Sequence, residues 1–190
     1  MRDPIDVFRT LFDAAARVSD EPDAMVLSTV DEGGQPSGRF VLLKAVDERG
    51  FVFYTNLNSR KARALAANPR ASLCFYWAGL GKQVRIEGAV EPVSDAEADA
   101  YFATRPRDSQ IGAWASEQSL PLASRQVLED RVAETSTRFG GSAVPRPTFW
   151  SGYRVVPHAI EFWTRDAARL HVRERYERTD GGWTTTFLFP

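Results

Sequence analysis

The sequence is poor in residues that bind soft metal ions or act as nucleophiles. Its 190 residues include a single cysteine, Cys74, and two histidines, His158 and His171. Because a structural zinc site takes about four Cys or His ligands, no such cluster can be assembled, although this count leaves a carboxylate site open. A lone cysteine cannot form a disulfide within the chain, and Cys74 lies in the apolar run 71–77, which predicts a small buried side chain.

Familiar nucleotide and hydrolase motifs are also missing. No Gly-x-Ser-x-Gly precedes either histidine, and the sequence has no Gly-x-Gly-x-x-Gly after a predicted strand and no Walker-type loop. The formal net charge of -1 gives no general field that would attract nucleic acid or an anionic membrane, so any anion site must be local. Apolar runs stay short of the roughly 20 residues that span a bilayer, and the start is charged, unlike a signal peptide. We expect a cytoplasmic protein without nucleic-acid or membrane partners.

Hydrophobic spacing and turn residues predict one α+β domain spanning residues 1–190. Helices are predicted over 5–18, from a cap at Asn58 or Ser59 through 67, from the capping box at 94–97 toward 102, and over 124–139. Strands are predicted over 25–30, 39–46, 51–56, 71–77, 83–93, 153–165, 170–178 and 183–189. Short connections between the first three strands indicate an antiparallel meander, and the whole indicates a closed or nearly closed antiparallel barrel surrounded by helices.

Two basic segments near the start of the chain are candidate anion sites. Ser59-Arg60-Lys61 begins a predicted helix, where backbone N–H groups and the helix dipole favour an anion; a solvated basic helix end is the alternative. Arg39 and Lys44 bracket an apolar run, and strand alternation puts them on opposite faces, so one of them should lie inside. A buried cation there would need a carboxylate, a phosphate or an electron-rich ring as partner, and an edge-strand position is the alternative.

A second basic cluster follows the predicted capping-box helix. Tyr101, Arg105, Arg107 and Ser109 combine guanidinium, phenol and hydroxyl donors that suit a phosphoester. Taken alone, this cluster is equally compatible with an ordinary polar surface.

A third cluster lies near the C-terminus. Period-two spacing puts Arg169, His171 and Arg173 on one face of the strand predicted over 170–178. Three cationic or titratable groups on one face would make a poor core, so this pattern favours a functional site.

Several of these segments resemble the pyridoxamine 5'-phosphate oxidase family. They are RFVLLK at 39–44, FYTNLNSRK at 53–61, QVRIEG at 83–88, YFATRPRDSQIGAWASEQS at 101–119, and WSGYRVVP, EFWTR and RLHVR within 150–173. The RPRDSQIGAWASEQS block is the most specific, because relatives that share only the flavin-binding split barrel are not expected to keep it. The resemblance implies an FMN-binding split barrel, with FMN at a homodimer interface and residues 148–190 as the dimerisation and substrate segment.

Carried over position by position, the resemblance implies a cofactor set and a substrate set. The cofactor set is Arg39, Phe40, Val41, Leu42, Leu43, Lys44, Tyr54, Thr55, Ser59, Arg60, Lys61, Gln83, Gln118, Ser119, Trp163 and Arg173. The substrate set is Lys44, Tyr101, Arg105, Ser109, Arg169, Leu170 and His171. Arg169 and His171 are the implied catalytic pair over the pyridine ring, with Arg169 favoured for positioning or proton handling at the reacting carbon.

The implied activity is the FMN-dependent oxidation of pyridoxamine or pyridoxine 5'-phosphate by dioxygen to pyridoxal 5'-phosphate, with release of hydrogen peroxide, and of ammonia from the amine. A related flavin oxidase for another ring, of the phenazine-pathway type, is one alternative. A protein that binds FMN or pyridoxal phosphate without turnover is another. Val172 stands where the family usually has aspartate, and the N-terminal segment that relatives extend over the substrate has no counterpart, so we expect weaker lid closure.

Overall fold

A computed structural model describes residues 2–190. The α-helices within these residues are α1 (Pro4–Ala15), α2 (Arg60–Ala67), α3 (Asp95–Thr104), α4 (Arg107–Ala115) and α5 (Arg125–Phe139). The strands are β1 (Ala24–Val30), β2 (Pro36–Leu42), β3 (Ala45–Asp47), β4 (Gly50–Asn56), β5 (Arg70–Trp77), β6 (Lys82–Pro92), β7 (Trp150–Thr164), β8 (Val172–Thr179) and β9 (Gly182–Leu188). None of the helices in this range is long and apolar enough to cross a membrane.

The strands form one sheet that curls on itself. Across residues 2–190 its order is β2-β1-β5-β6-β7-β4-β3, and β8 and β9 extend it as a hairpin beside β7. The strand pairings between these elements are antiparallel. The two ends of the sheet approach each other, because β2 lies against β4. The architecture confirms the α+β antiparallel barrel that the sequence predicts.

The barrel is split where the sequence predicts an unbroken strand over 39–46, because the chain forms β2 and β3 there instead. The N–H of Leu43 donates to the carbonyl of Asp23 beside β1, and the N–H of Lys44 donates to the carbonyl of Val52 in β4, both at 2.8 Å. Leu43 is therefore bonded to one end of the sheet, and the next residue, Lys44, is bonded to the other end. The predicted antiparallel pairing of successive strands is present, between β1 and β2 and between β3 and β4, but the break in the second predicted strand places these two pairs at opposite ends of the sheet.

Helix α1 supplies a central aromatic contact of the core. Its start is fixed by Asp3, whose carboxylate accepts a hydrogen bond from the N–H of Ile5 at 2.8 Å. Phe8 is fully buried, and its ring centroid lies 4.9 Å from that of Phe51 and 5.1 Å from that of Phe75. Burying one side chain of this size contributes roughly 1.5–3 kcal/mol. Through Phe8, α1 links β4 and β5 in one apolar core.

The helices beside the sheet depart from the sequence prediction in one place. Pro106 is predicted to end a helix, and α3 does end before it, but a further helix begins at Arg107. Proline is compatible with the start of a helix, because its missing N–H would have no intrahelical partner there. The apolar stretch 112–115 is therefore the end of α4, which buries Ile111 and Ala115.

Gly88 lies at a β-bulge, where the register between β6 and β7 shifts. A Cβ at this position would lie 2.1 Å from the carbonyl oxygen of Val156. We expect Gly88→Ala to lower the free energy of unfolding by about 1–3 kcal/mol, the usual cost of overpacking. Urea unfolding at a fixed protein concentration measures this change. Gly141→Ala is the control, since a Cβ there meets nothing within 4 Å, and equal stability of the two variants would contradict the steric assignment.

Candidate functional site

A cleft of about 530 Å³ lies beside β2 and β4 and is bordered by α2, α3 and α4. Residues predicted for the cofactor line part of it: Phe40, Val41, Leu42, Lys44, Tyr54, Thr55, Lys61 and Gln118. Residues predicted for the substrate phosphate line another part: Tyr101, Arg105 and Ser109. The structure therefore brings two anion-site candidates, which are far apart in the sequence, into one cleft.

Lys61 is a cation whose hydrogen-bond acceptors are all neutral. Its Nζ donates to Oε1 of Gln118 at 2.8 Å, to Oγ1 of Thr55 at 3.0 Å and to Oγ of Ser59 at 3.3 Å. Burial, together with repulsion from Arg39, lowers the pKa of Lys61 to about 8. An anion bound beside Lys61 would favour the charged form. The surroundings of Lys61 therefore fit a phosphate group.

Arg39 adds a second positive charge near Lys61. Its Nη1 donates to the carbonyl of Leu27 at 2.9 Å and to Oγ1 of Thr29 at 2.8 Å, so its partners are also neutral. Burial lowers the pKa of Arg39, and repulsion from Arg60 lowers it further. Arg39 and Lys44 are both half-buried, so neither cation of the 39–44 segment lies fully inside as strand alternation predicts. Arg39 has no anionic partner in the described part of the chain.

The start of α2 is arranged differently from the sequence prediction. Ser59 is buried and caps the helix, accepting the N–H of Ala62 at 3.4 Å, while the N–H of Arg60 donates to Oγ of Ser119 at 3.1 Å. Because these N–H groups already have partners, side chains must supply most of the attraction for an anion. The Arg60 guanidinium lies 4.0 Å from the carboxylate of Asp31 and is mostly exposed.

Ser119, whose hydroxyl accepts the N–H of Arg60 at the start of α2, has a strained backbone conformation. Its φ is +75°, which residues other than glycine rarely adopt. Such strain costs of order 1–3 kcal/mol and concentrates at functional sites. The contact between Ser119 and Arg60 joins the segment after α4 to the start of α2, so both sides of the cleft are fixed relative to each other.

Arg105 provides a cation at another part of the cleft. It is the C-cap residue of α3, and its guanidinium carbon lies 4.7 Å from the ring centroid of Trp150 and 5.6 Å from that of Phe102. Its Nη1 is buried and has no hydrogen-bond partner within residues 2–190. Burial lowers the pKa of Arg105, while Tyr101 raises it. A buried N–H without a partner is costly, so this atom is suited to an anionic ligand.

An aromatic stack connects β4 with α3, the helix that Arg105 caps. The ring of Tyr54 lies 4.1 Å from that of Tyr101, tilted by 12°, and 5.4 Å from that of Trp150, tilted by 3°. The hydroxyl of Tyr54 donates to the carbonyl of Glu97 at 3.4 Å, and burial raises the pKa of this phenol. A Cβ at Gly152 would lie 2.7 Å from the Tyr54 ring, so only glycine leaves room for the stack.

Lys44 differs from the other cleft cations because it has a carboxylate partner. Its Nζ lies 2.8 Å from Oδ2 of Asp23, a residue to which the sequence analysis assigns no role. Nearby, Phe40 is 74% exposed and Leu42 is 43% exposed on the outer face of β2. Leu43 is buried in the core and does not line the cleft. Exposed apolar side chains of this size mark a surface that suits a ligand ring or a partner chain.

The remaining predicted cofactor residues form a row across the sheet, outside the cleft. Gln83, Trp163 and Arg173 are register partners on β6, β7 and β8. The Nε and Nη2 atoms of Arg173 donate to the carboxylate of Glu161 at 2.9 and 3.1 Å, and Glu161 is 3% exposed. These hydrogen bonds raise the pKa of Arg173 and fix its orientation.

The predicted catalytic pair lies in a turn. Since β8 begins one residue after His171, the prediction that Arg169, His171 and Arg173 share a strand face is wrong. Asp166 explains the difference, because its carboxylate accepts the N–H of Leu170 at 3.3 Å and its carbonyl accepts the N–H of Arg169 at 3.2 Å. The turn leaves Arg169 at a φ of +63°.

His171 is nevertheless close to the row across the sheet. Its ring centroid lies 4.5 Å from that of Trp163, and its Nδ1 accepts the N–H of Asp166 at 3.1 Å. Arg169 and Leu170 are exposed, with Leu170 at 70%. The lining of the cleft in the same chain includes neither of these residues nor His171. One chain therefore presents the predicted site residues as two separate groups.

Some cleft residues belong to neither predicted set, although they lie in segments that resemble the family: Asn56, Gly112, Ala113, Ser116 and Trp150. Trp150 shows why. An aromatic residue at the start of a strand is expected to be part of the hydrophobic core, and Trp150 is buried. Its contact with Arg105 depends on tertiary packing, which local spacing does not encode.

Comparisons with known proteins agree with this architecture. The family model described as pyridoxamine 5'-phosphate oxidase matches residues 11–139, and the model described as the pyridoxine 5'-phosphate oxidase C-terminal dimerisation region matches residues 150–190. The chain is 58% identical to a pyridoxine/pyridoxamine 5'-phosphate oxidase from Myxococcus xanthus (strain DK1622), over 99% of this chain and 92% of the relative. It is 56% identical to the oxidase of the same name from Caulobacter vibrioides (strain NA1000 / CB15N), over 99% and 85%.

Among solved structures, PhzG from Burkholderia lata 383 in complex with tetrahydrophenazine-1-carboxylic acid is 37% identical, with a TM-score of 0.93 over 99% of this chain and 93% of that one. A pyridoxamine 5'-phosphate oxidase-related, FMN binding protein from Nostoc punctiforme PCC 73102 shares the fold at a TM-score of 0.80 over the full length of both chains, with 16% identity. The family models and the near full-length relatives together show that the chain belongs to the pyridoxamine 5'-phosphate oxidase family.

Proposed function

We propose that this protein uses FMN to oxidise pyridoxamine 5'-phosphate and pyridoxine 5'-phosphate with dioxygen to pyridoxal 5'-phosphate. Hydrogen peroxide is the second product, and the amine also releases ammonia. One observation supports this most directly: a single cleft contains both Lys61, with neutral acceptors only, and Arg105, with a buried N–H that lacks a partner in residues 2–190. The reaction needs two such anion sites, since cofactor and substrate each carry a phosphate.

The cofactor end of the cleft is assigned to the group around Lys61. Lys61, Arg60 and Arg39 would hold the FMN phosphate, assisted by the hydroxyl of Ser119, while β2 would run along the ring system. When bound, FMN supplies the hydride-accepting and oxygen-reducing chemistry. These cationic side chains suit the FMN phosphate. A carboxylate oxygen of Asp31 lies 4.0 Å from the Arg60 guanidinium, a long ion pair that leaves the guanidinium able to bind a phosphate.

The substrate end is assigned to Tyr101, Arg105 and Ser109. A guanidinium, a phenol and a hydroxyl can together donate several hydrogen bonds to a phosphate. Because Arg105 is already held against Trp150, little side-chain freedom is lost on binding. Fixing the phosphate would convert binding energy into alignment of the reacting carbon with the cofactor.

We further propose that a partner chain completes each site. The group containing Gln83, Trp163 and Arg173, with the turn at 169–171, lies outside the cleft of its own chain, so a homodimer would supply it from the opposite subunit. Residues 148–190 would form this dimerisation and substrate segment. Exposed apolar side chains on β2 and the C-terminal hairpin suit such an interface: Phe40, Leu42, Leu170, Phe187 and Phe189.

In such a dimer the two residues of the turn would have different roles. The guanidinium of Arg169 carries hydrogen-bond donors and no acceptor, so it would position the substrate and stabilise negative charge. His171 uses Nδ1 as an acceptor, which leaves Nε2 to carry the proton of a neutral ring and to donate it in a hydrogen bond. The cytoplasmic location expected from the sequence stays a prediction.

The similarity to PhzG supports a second candidate, an oxidase for a phenazine-type ring. Retention of Tyr101, Arg105 and Ser109 in the cleft favours the phosphorylated substrate, because three donor side chains match the three terminal oxygens of a phosphate, whereas a phenazine-type carboxylic acid offers only two.

We expect the aerobic, FMN-loaded protein to form peroxide and pyridoxal 5'-phosphate in equal amounts from pyridoxamine 5'-phosphate. A peroxidase-coupled assay and the absorbance of the aldehyde measure the two products. A yellow protein that forms no peroxide would be a binder. Peroxide formed with tetrahydrophenazine-1-carboxylic acid and with neither phosphorylated vitamer would assign the protein to the second candidate.

Arg105→Ala should raise KM for pyridoxamine 5'-phosphate by about tenfold to a hundredfold, since a hydrogen bond to a charged group contributes about 1.5–3 kcal/mol. FMN content should stay within a factor of about two. Arg107→Ala is the matched control, because Arg107 donates to the carbonyls of Gly140 and Ser142 and does not line the cleft. If Arg105→Ala loses FMN and keeps its KM, the two phosphate sites are assigned the wrong way round.

Affinity for FMN should fall as the pH rises above the pKa of Lys61, which burial and Arg39 lower to about 8 in the free protein. The FMN phosphate is already a dianion above about pH 6 and favours protonated Lys61. Binding above pH 8 therefore takes up a proton, and Kd should rise by up to about tenfold per pH unit. Fluorescence titration between pH 7 and 9.5 measures this. Lys61→Arg should flatten the dependence, and a wild-type Kd that does not change with pH would refute the role of Lys61.

A further inference from the structure

Helix α3 carries Tyr101 and ends at Arg105, yet few apolar contacts hold it. Of the side chains in α3, Ala98 and Phe102 are the buried ones. A helix with such a narrow buried face can rotate or slide unless other contacts fix it. The position of the phosphate-binding side chains therefore depends on what holds α3 in place.

One contact comes from Arg146, in the segment before β7. Its Nε donates to Asp99 at 2.5 Å and its Nη2 to Asp95 at 2.7 Å. Its Nη1 donates to the carbonyl of Trp150 at 2.8 Å. The side chain of Arg146 is 11% exposed, whereas those of Asp95 and Asp99 are 88% and 63% exposed. Arg146 thus joins one side of α3 to the residue that lies against Arg105.

A second contact comes from Arg154, in β7. Its Nη2 donates to Glu97 at 2.8 Å and its Nη1 to Asp47 at 2.6 Å, and its side chain is 3% exposed. Arg49 reinforces the contact by donating to the same Glu97 carboxylate at 3.0 Å. Glu97 also completes the capping box of α3 with Ser94. Hydrogen bonds from Ser94, followed by those from Arg49 and the charge of Arg154, lower the pKa of Glu97 to about 2, so the carboxylate stays charged.

Helical spacing relates these contacts to the cleft. Glu97, Tyr101 and Arg105 follow one another at intervals of four residues, so they lie along one side of α3. Asp95 and Asp99 are also four residues apart and lie on the other side of the buried Ala98–Phe102 face. Two arginines therefore hold α3 from both sides of its buried face.

We propose that Arg146 is a positioning residue, which holds α3 by the two carboxylates on the side opposite the Arg154 contact. It thereby sets Tyr101 and Arg105 for the substrate phosphate. This inference rests on the proposed function, because it assigns the substrate phosphate to α3. A merely structural role would affect stability and every activity parameter together. A positioning role affects binding of the phosphorylated ligand and leaves FMN binding unchanged.

The test uses the double variant Asp95→Asn/Asp99→Asn in the FMN-loaded protein. Both carboxylates are largely exposed, and the Asn side chains keep an oxygen that can accept from the mostly buried Arg146, so the thermal midpoint should change by less than about 3 °C. We expect KM for pyridoxamine 5'-phosphate and Kd for pyridoxal 5'-phosphate to rise at least about fivefold, with kcat and FMN Kd within about twofold. Asp95→Glu/Asp99→Glu, which keeps the charges, should recover at least half of the lost affinity.

Glu129→Gln is the matched control, because it removes an exposed carboxylate that pairs with Arg125 on α5. It should leave all five quantities unchanged. Unchanged KM and Kd in the Asp95/Asp99 variant, or a parallel loss of FMN binding and thermal stability, would overturn the inference. A wild type that binds pyridoxal 5'-phosphate without oxidising the amine would refute the proposed function alone, since the Kd series still tests the positioning role. A wild type that does neither would refute both.

Discussion

The candidate site depends on cations that are partly buried and have no carboxylate beside them. In the described residues, Lys61 and Arg39 bond to neutral oxygens, and Arg105 lies against aromatic rings. Desolvating a cation costs several kcal/mol when no anion compensates it. The apolar core around Phe8 and the long pairing of β6 with β7 must offset that cost. Two bound phosphate groups would offset this cost, so these charges would favour the complex with both ligands.

The split between β2 and β3 opens the sheet beside these charges. At Leu43 and Lys44 the backbone changes partners, and Asp23 serves both residues, accepting the N–H of one through its carbonyl and the ammonium of the other through its carboxylate. Strand alternation places Phe40 and Leu42 on the exposed face of β2, just before this point. The irregularity between β2 and β3 therefore lies beside both the cleft and an apolar surface.

Much of the barrel could be predicted because strand periodicity and turn residues are local signals. The capping box at Ser94 and the cap at Ser59 were equally readable, and both are present in the structure. The errors lie where residues outside the recognised pattern determine the local backbone conformation. Pro106 both follows the end of α3 and precedes the start of α4, and the second helix depends on the packing of Ile111 and Ala115, which the proline itself does not reveal. At Arg169 the alternation pattern suggested a strand, but hydrogen bonds to Asp166 impose a turn. Candidate site residues could be named without these details, because the family resemblance points to particular residues but not to the partners that they contact.

Gly152 shows how a position without a side chain controls the shape of the cleft. The space that its missing Cβ leaves is occupied by the ring of Tyr54, which lies nearly parallel to the rings of Trp150 and Tyr101. A methyl group at Gly152 would displace Tyr54, and Tyr54 would in turn displace Tyr101 on α3. The width of the opening therefore depends on a glycine in the strand that also carries Trp150, and redesign of substrate scope could begin at this position.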